Sequence, residues 1–239
     1  MQQLETRGIT DSWIKGSWEE YLEAIKNFPE NQGKSYYYNG YYRLEMTPIG
    51  FEHARDHHVV FLGVSLYAIL KEIPFQGLPT CSYRKRGIRE VQPDISYYLG
   101  EKANLIPNGT SIIDLNQYPP PDLVIEISKS TLNDDLGNKR LLYEELGVSE
   151  YWSVKVDDPQ IFAFEIIDRG SKRIDISKVL PNLRLAVLES ALQQARTKRI
   201  DISKVLPNLR LAVLESALQQ ARTRDQSQVG RWLISQFQG

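Results

Sequence analysis

The sequence predicts an α/β fold in which a mixed β-sheet is flanked by helices and followed by a C-terminal helical tail. Helical and strand patterns alternate in the order helix, three strands, helix, strand, which is typical of an α/β domain. Residues 91–98 and 122–128 are apolar enough to form buried strands. The hydrophobic content of 41% and the charged content of 25% are ordinary for a globular domain.

The first half of the chain contains three elements with clear sequence signals. Residues 17–20 (Ser-Trp-Glu-Glu) match a capping box, so a short amphipathic helix should follow. Residues 35–46 have aromatic strands on both sides of Asn39-Gly40, a turn sequence typical of a β-hairpin. Residues 53–72 have apolar side chains at helical spacing and predict a long helix.

The second half alternates strands with a helix. The predicted strands cover 80–84, 91–99, 122–128, 150–156 and 160–167. A basic turn at 85–87 joins the first two strands, and a loop rich in Pro, Asn and Gly covers 100–121. A helix is predicted from Asp134 to Leu146, where Gly147 ends it.

The last part of the chain contains an exact tandem repeat. Residues 172–197 recur without a mismatch as residues 198–223, which divides the chain into a domain over 1–171 and a tail over 172–239. Solenoids need about three or more repeats, so two identical copies indicate a tandem duplication or a sequencing or assembly error. The additional apolar helix face could pack on the domain, pair with a second chain or stay uncovered.

Length and composition exclude several classes of protein. The 239 residues suffice for a substantial core, and the net charge of −1 gives no global sign of nucleic-acid binding. The single cysteine, Cys81, excludes a disulfide framework and indicates a reducing compartment. Residues 1–16 lack the apolar run of a signal peptide, and no segment predicts a membrane span. We therefore expect a cytoplasmic protein without a membrane partner.

Two carboxylates interrupt the apolar strands. Asp94 opens one predicted strand, and Glu126 lies inside another, where an uncompensated charge is strongly destabilising. Asp122 shares the face of Glu126, but four residues along a strand span about 13 Å. We therefore expect the partner of Glu126 to come from an adjacent strand, with Asp94 as the better candidate. Lys139 follows on a helix, from which its amine could reach the end of the sheet.

An Asp, a Glu and a Lys from two strands and a helix suit metal-assisted hydrolysis of a phosphate ester. Asp94 and Glu126 would bind Mg²⁺, which prefers carboxylate oxygens. Lys139 would position the attacking water or stabilise the transition state. A structural role is the alternative: Asp94 would cap the turn after Pro93, and Glu126 would pair with Arg140 or Lys139.

Three segments carry a resemblance to a known family. They are Pro93-Asp94, PDLVIEIS at 121–128 and DDLGNKRLLYEELGVSEYW at 134–152, of which the last is the most specific. With NGYYRLEM and the histidine-containing helix after it, they make residues 35–170 similar to the Uma-two family. That family is a branch of the PD-(D/E)XK restriction-endonuclease-like superfamily.

The resemblance implies a restriction-endonuclease-like core and hydrolysis of nucleic-acid phosphodiester bonds. It implies a DNA endonuclease that uses Mg²⁺, with Mn²⁺ as a substitute, and that acts as a homodimer. Asp94 and Glu126 would be its metal ligands. The third position of the (D/E)XK triplet is Ser128 rather than Lys. The Uma-two branch carries its lysine on the following helix, which matches Lys139.

Two other classes of function stay open at this point. A catalytically inactive nucleic-acid-binding or regulatory protein on the same fold is favoured by the near-zero net charge and by Ser128, and the basic segment 84–86 would contact phosphates. A partner-binding domain would use the duplicated helix for assembly. Glu45 could supply a further carboxylate, and His57 could point into the site. His53 and His57 have the spacing of a zinc-binding pair, but no third ligand is evident.

Overall fold

The strands form two six-stranded mixed sheets in the part of the chain that is described. The computed structural model describes residues 12–27, 33–45, 50–128, 131–155, 157–197, 216–217 and 220–237. The helices are α1 (Trp18–Lys26), α2 (Phe51–Leu70), α3 (Leu132–Leu136), α4 (Asn138–Leu146), α5 (Leu185–Thr197) and α6 (Gln226–Phe237), with a 3-10 helix at Gly100–Asn104. The strands are β1 (Ile14–Lys15), β2 (Lys34–Tyr38), β3 (Tyr41–Glu45), β4 (Phe75–Pro79), β5 (Tyr83–Lys85), β6 (Arg89–Val91), β7 (Ile95–Leu99), β8 (Ile113–Asp114), β9 (Leu123–Ser128), β10 (Glu150–Lys155), β11 (Gln160–Ile167) and β12 (Gly170–Ile174).

The larger sheet has the strand order β12-β11-β10-β9-β7-β4. Strands β9 and β10 are parallel, and the other neighbouring pairs are antiparallel. Ile95 of β7 lies opposite Ile125 of β9. Because this pairing is antiparallel, the residue before Ile95 and the residue after Ile125 lie side by side on the same face. The register therefore places Asp94 beside Glu126.

The two faces of the larger sheet are covered differently. Leu123, Ile125 and Ile127 of β9 belong to a core cluster that also contains residues of α2 and α5. Val124 points to the opposite face and joins a second cluster, built from the smaller sheet, α4 and Tyr98. This alternation follows from the two-residue period of a strand. The predicted mixed sheet flanked by helices is confirmed.

The smaller sheet has the order β1-β3-β2-β6-β5-β8 and is built around the predicted hairpin. Asn39 and Gly40 both have positive φ, as the tight turn requires, and they join β2 to β3. Ser17 and Glu20 form the predicted capping box at the start of α1. Helix α1 packs its apolar side chains on the hairpin, where Tyr21 and Tyr37 belong to one cluster.

The helix predicted over 134–146 is interrupted. Gly137 has φ −103° and ψ −105°, which is not helical, so α3 ends before it and α4 begins after it. A Cβ at this position would lie 2.9 Å from the backbone oxygen of Asn133, so the close turn requires glycine. The interruption separates Asp135 on α3 from Lys139 on α4.

The first copy of the tandem repeat contributes to the core of the larger sheet. Its buried leucines are Leu180, Leu183, Leu185, Leu188 and Leu192. The carboxylate of Glu150 accepts hydrogen bonds from Ser177 Oγ and from the backbone N–H groups of Lys178 and Val179, which fixes the loop before α5. Most of the second copy lies outside the described residues, and the boundary at residue 171 stays a prediction. No helix in the described ranges is long and apolar enough to cross a membrane.

Candidate active site

Asp94 directly precedes β7 and is 4% exposed. Its Oδ2 accepts a hydrogen bond of 2.8 Å from the backbone N–H of Ile127 in β9. Its own carbonyl oxygen accepts from the N–H of Thr80 at 2.9 Å. The neighbouring strand therefore fixes the carboxylate through one oxygen, while the other oxygen, Oδ1, points towards other charged groups.

Glu126 lies in β9 on the face that meets the smaller sheet, and it is 1% exposed. Its Oε1 accepts a hydrogen bond of 2.7 Å from the hydroxyl of Tyr143 on α4. The hydroxyl of Tyr36 on β2 lies 3.3 Å from the same oxygen. Two aromatic hydroxyls thus orient a carboxylate that is otherwise enclosed by apolar strands, and Oε2 faces the lysines of the site.

Lys139 brings α4 into the same cluster and is 1% exposed. Its Nζ lies 2.9 Å from Glu45 Oε1, 3.0 Å from Asp135 Oδ1 and 3.9 Å from Glu126 Oε2. The ammonium also lies 4.6 Å from the centre of the Tyr36 ring. The structure therefore brings the three residues singled out by sequence, Asp94, Glu126 and Lys139, into one buried cluster.

Lys34, at the start of β2, is a member of the cluster that sequence analysis missed. Its Nζ lies 3.0 Å from Asp94 Oδ1, 3.2 Å from Glu126 Oε2 and 3.7 Å from Glu45 Oε2. Lys34 pairs across the hairpin with Glu45. The register set by the Asn39-Gly40 turn is the signal that could have placed the two together.

Glu45 and Asp135 complete the carboxylates of the site. Glu45 is buried and is held by Arg43, whose Nε donates to Oε1 at 2.9 Å. Asp135 accepts hydrogen bonds from the hydroxyls of Ser128 and Thr131. Ser128 occupies the strand position where the superfamily motif has lysine, and its hydroxyl holds the carboxylate that contacts Lys139. The spacing of Asp135 and Lys139, four residues apart, was a usable signal for their pairing.

The two predicted metal ligands have pKa values shifted in opposite directions. Burial raises the pKa of Asp94, but Lys34, His53 and the Ile127 N–H outweigh it and hold that pKa well below its usual range. Burial raises the pKa of Glu126 to about 7, against the opposing effect of Lys139 and Lys34. Two nearby carboxylates of unequal acidity are a common feature of catalytic sites.

Two of the three histidines of α2, His53 and His57, lie at Asp94. His53 Nε2 is 3.6 Å from Asp94 Oδ1, and His57 Nε2 is 3.0 Å from the backbone carbonyl oxygen of Asp94. His57 therefore contacts the backbone at the edge of the site rather than its carboxylates. Because the two histidines are four residues apart on the helix, both of their rings lie near Asp94.

The basic segment between β5 and β6 is partly neutralised. Arg84 pairs with Glu90 through Nε and Nη2, at 2.5 and 3.0 Å from its carboxylate oxygens. Arg89 pairs with Glu145 at 3.0 Å. Both arginines form ion pairs with neighbouring carboxylates. A role for this segment in binding phosphates stays a prediction.

The donor set of the cluster suits a divalent cation. Glu45, Asp94 and Glu126 offer only carboxylate oxygens, the ligands that Mg²⁺ and Mn²⁺ prefer. An ammonium group, that of Lys34, stands among these three carboxylates at 3.0 to 3.7 Å. Within the described ranges, no three His, Cys, Asp or Glu side chains are close enough to form a ready metal site.

Comparisons with known proteins identify the family of the chain. The model of the Uma2 family, described as "Putative restriction endonuclease", matches residues 18–212. Among solved structures, the chain is similar to "a putative nuclease belonging to DUF820" from Anabaena variabilis, with a TM-score of 0.53 and 17% identity over 74% of this chain and 98% of that one. At this identity the likeness shows the fold. No curated protein matches the chain. Because the family model covers most of its length, the chain belongs to the Uma2 family.

Proposed function

We propose that the protein is a metal-dependent endonuclease that hydrolyses phosphodiester bonds in nucleic acid, with DNA as its substrate. The observation that carries this proposal is the convergence of Asp94, Glu126 and Lys139 from β7, β9 and α4. Membership of a family described as "Putative restriction endonuclease" supports the same class of reaction.

Asp94 and Glu126 are the residues that would hold Mg²⁺ or Mn²⁺, and Glu45 could add an oxygen. When bound, the ion would lower the pKa of a water molecule and neutralise charge on the scissile phosphate. The N–H of Ile127 fixes Asp94, and the hydroxyl of Tyr143 fixes Glu126. Both carboxylates therefore present their remaining oxygens in a set direction, as a metal site requires.

Lys139 would orient the attacking water or stabilise the charge that develops on the phosphate. Burial lowers the pKa of its amine, but Glu126, Asp135 and Glu45, with Tyr36, raise that pKa well above its usual value. Lys139 therefore keeps its positive charge at neutral pH. Charge that is preorganised in a water-excluded site stabilises a transition state more than it would in water.

The experiment that tests the proposal is cleavage of supercoiled plasmid with Mg²⁺, Mn²⁺ or EDTA. We expect nicking by the wild type only with metal, and loss of nicking in Asp94→Asn, Glu126→Gln and Lys139→Met. Glu23→Gln, an exposed carboxylate on α1, is the matched control and should cleave as the wild type does. Single-stranded DNA and RNA in the same assay would identify the preferred substrate.

A homodimer is part of the proposal, because cutting both strands of a duplex takes two sites. Sedimentation of the intact chain with a duplex substrate tests it: a 1:1 complex that makes double-strand breaks would contradict the dimer.

In the plasmid assay, cleavage that persists in EDTA, or in Glu126→Gln, would contradict the metal-dependent site.

A binding protein without turnover is the second candidate, and Ser128 at the lysine position of the motif favours it. In that case nucleic-acid affinity would be the same with and without metal. Nucleic-acid affinity would also be lost when Arg84, Lys85 and Arg86 are changed to Ala, while variants of Asp94 and Glu126 would bind nucleic acid as the wild type does. Metal-dependent cleavage by the wild type excludes this candidate.

A further inference from the structure

Lys34 and Lys139 both contact Glu45 and Glu126, but the two side chains differ in exposure. The Lys139 side chain is 1% exposed and is held by Glu45 and Asp135. The Lys34 side chain is 18% exposed, so part of it meets solvent. Lys139 is therefore enclosed by the fold, whereas Lys34 is in partial contact with solvent.

The oxygens that Lys34 contacts are those that a cation would need. Its Nζ lies 3.0 Å from Asp94 Oδ1 and 3.2 Å from Glu126 Oε2, the two oxygens left over by the hydrogen bonds of Ile127 and Tyr143. A divalent ion on the same oxygens would sit at about 2.0–2.1 Å from each. The ammonium and the ion cannot occupy that space together.

We propose that the ammonium of Lys34 is a built-in counter-ion that holds the metal position closed and leaves it when a divalent cation binds. The inference rests on the proposed function, because it takes Asp94 and Glu126 as the metal ligands. The compact ammonium on a flexible four-carbon stem is suited to this exchange, since it can turn to solvent without any movement of the backbone.

The exchange has a consequence for both states of the protein. With Lys34 in place, one positive charge partly compensates the carboxylates of Asp94 and Glu126 in the absence of metal, which reduces the cost of buried charge. With Lys34 released, its charge turns to solvent, where the phosphates of a nucleic acid would approach. One side chain therefore stabilises the metal-free protein and contacts substrate in the metal-bound protein.

The first test measures cation affinity without activity. Binding of Mn²⁺ to wild type and Lys34→Met is followed by electron paramagnetic resonance, and binding of Mg²⁺ by calorimetry. We expect Lys34→Met to bind about tenfold more tightly or better, because a competing buried ion pair has been removed. Lys102→Met is the matched control, since Lys102 pairs with Asp122 at 2.7 Å outside the cluster, and its affinity should equal that of the wild type.

The outcomes separate this inference from the proposed function. Equal or weaker binding by Lys34→Met, with clear binding by the wild type, overturns the exchange and leaves the metal site standing. Absence of binding in both proteins at millimolar metal overturns the metal site itself, and the inference with it. Tighter binding by Lys34→Met supports the exchange even if no nucleic acid is cleaved.

A second measurement uses the wild type, so it does not depend on the folding of a variant. Lysines are acetylated briefly with and without Mn²⁺, and the labelled positions are read by mass spectrometry. We expect labelling of Lys34 to rise several-fold with Mn²⁺, while labelling of Lys102 and Lys139 stays constant. Unchanged or reduced labelling of Lys34 at a metal concentration that saturates the site would overturn the exchange.

Discussion

Lys139→Met removes a buried ammonium and leaves an unbranched, slightly shorter side chain. In the wild type this ammonium lies within 3.0 Å of Glu45 Oε1 and Asp135 Oδ1, and 3.9 Å from Glu126 Oε2. After the substitution these carboxylates keep their burial but lose the cation they share. Of these three carboxylates, Lys34 contacts Glu45 and Glu126 but not Asp135, so Asp135 would lose the cation that it contacts.

The expected loss of stability is large. Removing one partner of a buried ion pair typically costs about 3–5 kcal/mol, because the other charge stays buried and uncompensated. In a chain of this size about 1 kcal/mol lowers Tm by roughly 2–4 °C, so the variant should melt roughly 6–20 °C below the wild type. Lys26→Met is the control: Lys26 and Glu23 are 70% and 66% exposed, and such pairs contribute about 0–1 kcal/mol.

The assay is urea denaturation followed by tryptophan fluorescence, in EDTA so that no divalent ion replaces the lost charge. The cycle with Asp135→Asn isolates the pair, and we expect the double variant to lose less stability than the two single variants together, by about 0.5–3 kcal/mol. A loss below about 1 kcal/mol for Lys139→Met would contradict this prediction, because the buried ammonium would then contribute no more than an exposed ion pair.

Three further predictions concern the support of the site, the repeat and the single thiol. Tyr143→Phe should cost about 1–3 kcal/mol in urea denaturation, since Glu126 loses a buried donor, and an unchanged stability would contradict this. Leu188→Ala should cost about 2–5 kcal/mol if the first repeat copy packs in the core, and a loss near zero would place that helix elsewhere. Burial raises the pKa of the Cys81 thiol, so the rate of alkylation by iodoacetamide should rise with pH only above the pKa of a free cysteine, which is about 8.5. A rate profile with its midpoint at or below that pH would contradict this prediction.

Local signals in the sequence were sufficient for part of the fold. The Asn39-Gly40 turn and the capping box at Ser17 each depend on neighbouring residues alone, and both are present. The strand period placed Glu126 on the face opposite Ile125 and Ile127, and the search for a partner on an adjacent strand led to Asp94. The antiparallel register of β7 and β9 agrees with that choice.

Other features depended on contacts that the sequence pattern does not contain. Strand β4 has no counterpart among the predicted elements, because its pairing with β7 is a tertiary contact. The division of the predicted helix at Gly137 depends on a close approach to the backbone of Asn133. Lys34 was missed because a lysine at the start of a strand normally points to solvent, and only the docking of the hairpin on β9 directs it to Glu126.

The most direct test of the central claim is plasmid cleavage by Glu126→Gln beside the wild type, both shown to be folded by thermal melting. The amide keeps the size of the side chain and an acceptor for the Tyr143 hydroxyl, so the fold should survive. We expect metal-dependent nicking by the wild type and none by the folded variant. Nicking by folded Glu126→Gln at the wild-type rate would contradict it, because the reaction would then take place at another site.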